Sequence, residues 1–62
     1  MKTGKHSIVI DSEVGSGTQI WHFCNIYGSK IGQNVKIGSY VEIQNNTNIG
    51  DDSIISSHSF IC

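Results

Sequence analysis

The sequence predicts an all-β chain, a single-stranded left-handed parallel β-helix of about three triangular coils. Three columns of residues predict it. Branched aliphatics recur every sixth residue at Ile8, Val14, Ile20 and Ile26, and after one five-residue step at Ile31, Ile37, Ile43, Ile49, Ile55 and Ile61. Glycine follows the aliphatic at Gly15, Gly32, Gly38 and Gly50. Four residues past each aliphatic stands a small or β-branched side chain: Ser12, Thr18, Cys24, Val35, Val41, Thr47, Ser53 and Ser59. In the shortened repeat Ser29 takes that place. A period of six fits neither an amphipathic helix nor one long alternating strand. It fits short strands separated by turns, with the aliphatic always pointing inward. A right-handed solenoid or an unusual sandwich could share the period.

Taken in chain order, residues 1–7 form a leader and residues 8–62 the repeat. Three hexapeptides make one coil of about eighteen residues, and successive coils pair at roughly 4.8 Å. The expected interior ladders are Val14–Ile31–Ile49, Ile20–Ile37–Ile55 and Ile26–Ile43–Ile61. The small residue at the fourth step leaves room for the bulky one at the tapered corner. Gly and Asn suit the turns because they tolerate positive φ. The five-residue step from Ile26 to Ile31 shortens one corner at Tyr27-Gly28. After Ile61 no cap is recognisable, so truncation at the C-terminus is expected, with unpaired strands at that edge.

Composition narrows the function. With 62 residues, the chain buries too little apolar surface to be comfortably stable alone, which favours oligomerisation. Cys24 and Cys62 are the only cysteines and offer no disulfide framework. A formal charge of −1 and four scattered lysines give no basic surface for nucleic acid. No apolar run reaches the length of a membrane span, and no signal-peptide core is present, so a cytoplasmic location is expected. The aromatics Trp21, Phe23, Tyr27, Tyr40 and Phe60 fall outside the inward columns, and large rings on the outside of a small solenoid point to an interface between subunits.

The stretch Ile20-Trp21-His22-Phe23-Cys24-Asn25-Ile26, read with Lys30-Ile31-Gly32-Gln33-Asn34 and Val41-Glu42-Ile43-Gln44-Asn45-Asn46, resembles the hexapeptide-repeat N-acetyltransferases that acylate amino groups on nucleotide-linked sugars in bacterial surface-polysaccharide synthesis. The opening His6-Ser7-Ile8-Val9-Ile10-Asp11 and the block Gly15-Ser16-Gly17-Thr18-Gln19-Ile20 fit as well. The resemblance therefore covers nearly the whole chain, and Ile-Trp-His-Phe is its most specific part. It implies a homotrimer, acetyl-CoA as acyl donor, no metal, and active sites between neighbouring subunits. Family members run to well over a hundred residues, so most coenzyme A contacts are expected in later coils.

Acyl transfer to a sugar amine needs a neutral nucleophile, a proton acceptor and donors for the tetrahedral oxyanion. His22 and His58 are the candidate catalytic bases, because imidazole titrates near neutrality. His58 shares an outward corner column with Phe23 and Tyr40, whereas His22 stands above Ser39 and Ser57. His6, in the leader, is expected to be inert. The resemblance places Gln44, Asn45 and Asn46 near the acceptor sugar, where their amides could both donate and accept. Asn is also an ordinary turn residue at such corners.

Two other functions share the repeat. A zinc enzyme of the γ-carbonic anhydrase type would hold its metal with three histidines. His22 and His58 fall in different columns, and His6 is badly placed for a third ligand. A non-catalytic solenoid that trimerises is the other alternative.

Overall fold

The computed structural model describes every residue from Met1 to Cys62, and it is entirely β. Eleven short strands form three parallel sheets, one on each side of a triangular prism. Sheet A holds β1 (Lys2–Thr3), β4 (Gln19–Ile20), β7 (Lys36–Ile37) and β10 (Ile54–Ile55). Sheet B holds β2 (Ile8–Ile10), β5 (Asn25–Tyr27), β8 (Glu42–Ile43) and β11 (Phe60–Ile61). Sheet C holds β3 (Glu13–Val14), β6 (Lys30–Ile31) and β9 (Asn48–Ile49). The chain passes from A to B to C and returns to A, winding a parallel β-solenoid of about four turns, as expected of a left-handed β-helix.

Strand register reproduces the expected ladders. Ile20, Ile37 and Ile55 pair in sheet A, Ile26, Ile43 and Ile61 in sheet B, and Val14, Ile31 and Ile49 in sheet C. Ile26, Ile37 and Ile43 are fully buried, each by an amount that typically contributes about 1.5–3 kcal/mol. Ile49, Ile55 and Ile61 are only partly buried against the same core. The dry interior thus lies in the middle coils, where a coil covers each side.

The first coil corrects the reading in one place. Val9, not Ile8, stands opposite Ile26, and Ile8 is half exposed. The step from Val9 to Val14 is therefore a second five-residue step, at the same corner as that from Ile26 to Ile31. The strands preceding both short corners are the two three-residue strands, paired from Ile8–Asn25 through Ile10–Tyr27. Lys2 and Thr3, in the segment set apart as a leader, pair with Gln19 and Ile20 and begin sheet A.

The small residues of the fourth step do more than leave space. Thr18, Cys24, Ser29, Val35 and Val41 are all buried. Thr18 Oγ1 donates to the Gly32 carbonyl at 2.7 Å and accepts from the Val35 N–H at 3.2 Å. Ser29 Oγ donates to the Gln44 carbonyl at 2.7 Å, and its N–H donates to Ser12 Oγ at 3.2 Å. Cys24 Sγ lies 3.0 Å from the Gly38 carbonyl. These side chains satisfy backbone groups at corners where the strand ladder is interrupted, and no buried side-chain polar atom lacks a partner.

Candidate functional site

Every corner carries one residue in the left-handed backbone region, and the three corners differ in chemistry. Between sheets B and C these residues are Asp11, Gly28 and Asn46, and between C and A they are Gly17, Asn34 and Asp52. Such residues tolerate positive φ. Between A and B they are His6, Phe23, Tyr40 and His58, at φ of 58–66°. Phenylalanine and tyrosine rarely adopt this conformation, whereas histidine does so more readily. Here one coil sets each ring upon the next. Centroids lie 5.2 Å apart for His6–Phe23 and for Phe23–Tyr40, and 5.1 Å for Tyr40–His58, with interplanar angles of 17°, 11° and 1°. Offset or parallel contacts between rings at such distances each contribute about 0.5–1.5 kcal/mol, which offsets the cost of the backbone conformation.

His58 thus ends a ladder of rings, its plane set by Tyr40. His22 lies at the same corner two coils away and in the neighbouring column. Its Nδ1 accepts a hydrogen bond from the Lys5 N–H at 2.9 Å, and its ring meets Trp21 edge-on at a centroid distance of 5.9 Å. The two candidate histidines are therefore not joined in one catalytic pair. His6, expected to be inert, forms part of the ring ladder.

Gln44, Asn45 and Asn46 stand at the corner between sheets B and C. Gln44 Nε2 donates to Glu42 Oε2 at 3.1 Å, and the Tyr27 hydroxyl donates to the same oxygen at 3.0 Å. Partial burial first, and then the neighbouring Glu42 carboxylate, push the Tyr27 phenol above its ordinary range, so it remains a donor at neutral pH. Asn45 is the residue by which this corner exceeds those below it, and its Oδ1 occupies the space a Cβ on Gly28 would need. Asn46 N–H donates to the Gly28 carbonyl at 2.8 Å, and the residue borders a shallow cavity of about 240 Å³ with Lys30, Thr47 and Asn48. Sequence reasoning missed Tyr27 and Glu42 as neighbours of Gln44. The spacing of one coil between Tyr27 and Gln44 is the signal that could have found them.

A larger concavity, about 500 Å³, opens beside the first two coils of sheet A, with Lys2, Lys5, Gln19, Trp21 and His22 on its walls. No three or more His, Cys, Asp and Glu side chains come together as a metal-binding group within the chain. Trp21, Phe23, Tyr40 and Phe60 are each about half exposed or more.

A three-sided parallel solenoid with an inward aliphatic every sixth residue defines a hexapeptide-repeat protein. The chain belongs to the family described as bacterial transferase hexapeptide (six repeats), whose model matches residues 28–62. Beyond that family match, it is similar to the bifunctional protein GlmU of Acetivibrio thermocellus, with 40% identity over 92% of this chain and 12% of that protein. GlmU of Clostridium botulinum is 38% identical over the same shares, and GlmU of Ralstonia pickettii 29% identical over 84% of this chain and 11% of that protein. The chain thus spans about 12% of the length of the curated relatives it matches. No solved structure matches it.

Proposed function

We propose that this chain supplies coils of a cytoplasmic, homotrimeric acyltransferase that moves the acetyl group of acetyl-CoA onto an amino group of a nucleotide-linked sugar. The observation that carries this reading is the hexapeptide transferase match over residues 28–62, on a solenoid whose outward rings offer surface for neighbouring subunits. In the reaction the neutral sugar amine attacks the thioester carbonyl, the carbonyl oxygen gathers negative charge, and the coenzyme A thiolate leaves. A base removes the surplus proton from nitrogen.

Within that scheme His58 is the proton acceptor, its imidazole held by stacking on Tyr40 at an outward corner. Gln44, Asn45 and Asn46 hold the acceptor sugar, and the Glu42–Gln44 hydrogen bond orients the Gln44 amide. His22 takes a positioning role, because its Nδ1 lone pair is already engaged by the Lys5 N–H. No residue of the chain is assigned to the acyl donor.

The test is release of free coenzyme A thiol from acetyl-CoA in the presence of a panel of amino-sugar nucleotides. It is run on the chain and on a longer form carrying further coils. Turnover that His58→Ala lowers by roughly a hundredfold, the range of general-base catalysis, supports the assignment. Turnover by neither form with any acceptor overturns the transferase reading. If both forms are trimeric and neither turns over, the non-catalytic solenoid replaces it.

A further inference from the structure

We infer that Glu42, on the outer face of sheet B, contacts the acceptor amine and stabilises the positive charge its nitrogen gains during attack. This role rests on the transferase reading for the presence of an amino acceptor. It goes beyond that reading, in which Glu42 only orients Gln44.

Ile43 points into the prism, so Glu42 and Gln44 on either side of it point out from the same face. Sheet B runs from the corner that carries His58 to the corner that carries Asn45 and Asn46. An amine held by those amides and deprotonated at His58 lies across this face. Glu42 is the one charged side chain among the strands of sheet B.

The carboxylate is fixed but only half used. The Tyr27 hydroxyl and Gln44 Nε2 both donate to Oε2, at 3.0 and 3.1 Å, while Oε1 takes no donor from the chain. Hydrogen bonds to an ionised acceptor are stronger than neutral ones, so these two hold the side chain before any ligand arrives. No cation of the chain competes for the free oxygen. Glu42 has Asn25 opposite it on one side and Phe60 on the other. Lys2 and Lys36 belong to sheet A, Lys30 belongs to sheet C, and Lys5 lies two coils away in the first. A half-buried carboxylate with one open oxygen and no counter-ion is a preset acceptor for an amine N–H.

The step this serves is the attack itself. As the nitrogen lone pair forms the bond to the thioester carbon, the carbonyl π pair moves to oxygen and nitrogen becomes positive. Oε1 of Glu42, accepting an N–H from that nitrogen, stabilises the new charge. One proton then passes from nitrogen to His58. The electron pair on oxygen re-forms the carbonyl as the C–S bond breaks and the thiolate leaves. Glu42 stays ionised throughout, and Tyr27 acts through it as a positioning residue.

The experiment is calorimetric titration of the chain with UDP-glucosamine and with UDP-glucose, which differ by an amine in place of a hydroxyl, without acetyl-CoA. Binding of the amine about tenfold tighter is expected, the range of a charge-assisted hydrogen bond. Glu42→Gln keeps the shape and removes the charge, and should bring the two affinities together. Tyr27→Phe should narrow the preference by roughly threefold. Both side chains are partly exposed, so circular dichroism should show the variants folded. A carboxylate that merely orients Gln44 would weaken both nucleotides alike and leave their ratio unchanged. Equal affinities in the unsubstituted chain, or binding of neither nucleotide, overturn the role of Glu42 without recourse to a variant. A preference that survives Glu42→Gln overturns it as well. With no acyl donor present, the result is separate from turnover. An amine preference lost in Glu42→Gln, in a protein that releases no coenzyme A, sinks the transferase reading and leaves the amine contact standing. Turnover with the preference unchanged in Glu42→Gln does the reverse.

Discussion

Two corners of the same prism solve one backbone problem in opposite ways. The corner between sheets C and A places Gly17, Asn34 and Asp52 at positive φ, residues that accept this conformation at little cost. The corner between A and B places His6, Phe23, Tyr40 and His58 in the same conformation, although the rings of Phe23 and Tyr40 resist it. The difference shows that turn geometry alone does not choose residues in a solenoid. Where a side chain meets its equivalent in the next coil, the contact between coils can outweigh the local preference.

The largest effect that would break this comparison is expected at Tyr40, which stacks on both Phe23 and His58. Tyr40→Ala removes two ring contacts and keeps the unfavourable backbone, so a loss of about 1–3 kcal/mol is expected from urea unfolding. Gly28→Ala, at the corner between B and C, should cost about 1–2 kcal/mol, because φ is 61° and the new Cβ meets the Asn45 side chain. Tyr40→Gly should be about 1 kcal/mol less damaging than Tyr40→Ala, reversing the usual order of these residues in strands and helices. A double-mutant cycle of Phe23 and Tyr40 should give a coupling of about 0.5–1.5 kcal/mol. A coupling near zero would mean that the rings are neighbours without attraction.

The smallest effect concerns pH. The Tyr27 phenol is raised above the ordinary tyrosine value of 10.0 in the folded chain. Its contribution to stability is therefore complete below that value, and is lost as pH rises from there through the folded pKa. Ultraviolet titration should show phenolate forming later at Tyr27 than in the unfolded chain. Glu42→Gln should bring it back down, since it removes the adjacent negative charge.

Much of the fold was legible because the repeat is written in single residues. Ile20, Ile26, Ile31, Ile37 and Ile43 declare the interior by spacing alone, and all are buried. Ile8-Val9-Ile10 was misread because three consecutive aliphatics contain no alternation that selects one of them. Pairing with Asn25-Ile26-Tyr27 makes the choice, turning Val9 inward. The ring column was partly visible, with Phe23, Tyr40 and His58 aligned. His6 is absent from that column in the sequence reading because it lies before the first recognised repeat. The carboxylate bridge from Tyr27 through Glu42 to Gln44 could not be read from either segment alone, since it exists only once sheet B is in register.

By itself the sequence determined the period, the inward columns and the residue types at the turns, because each depends on the conformation of a few adjacent residues. Tertiary structure decided which side chains meet: His22 with the Lys5 backbone, Tyr27 with Glu42, and each ring with the next. Those partners lie one coil apart, separated by 15–18 residues. One residue more or less at any corner changes the offset, so the pairings emerge only when whole coils close and stack.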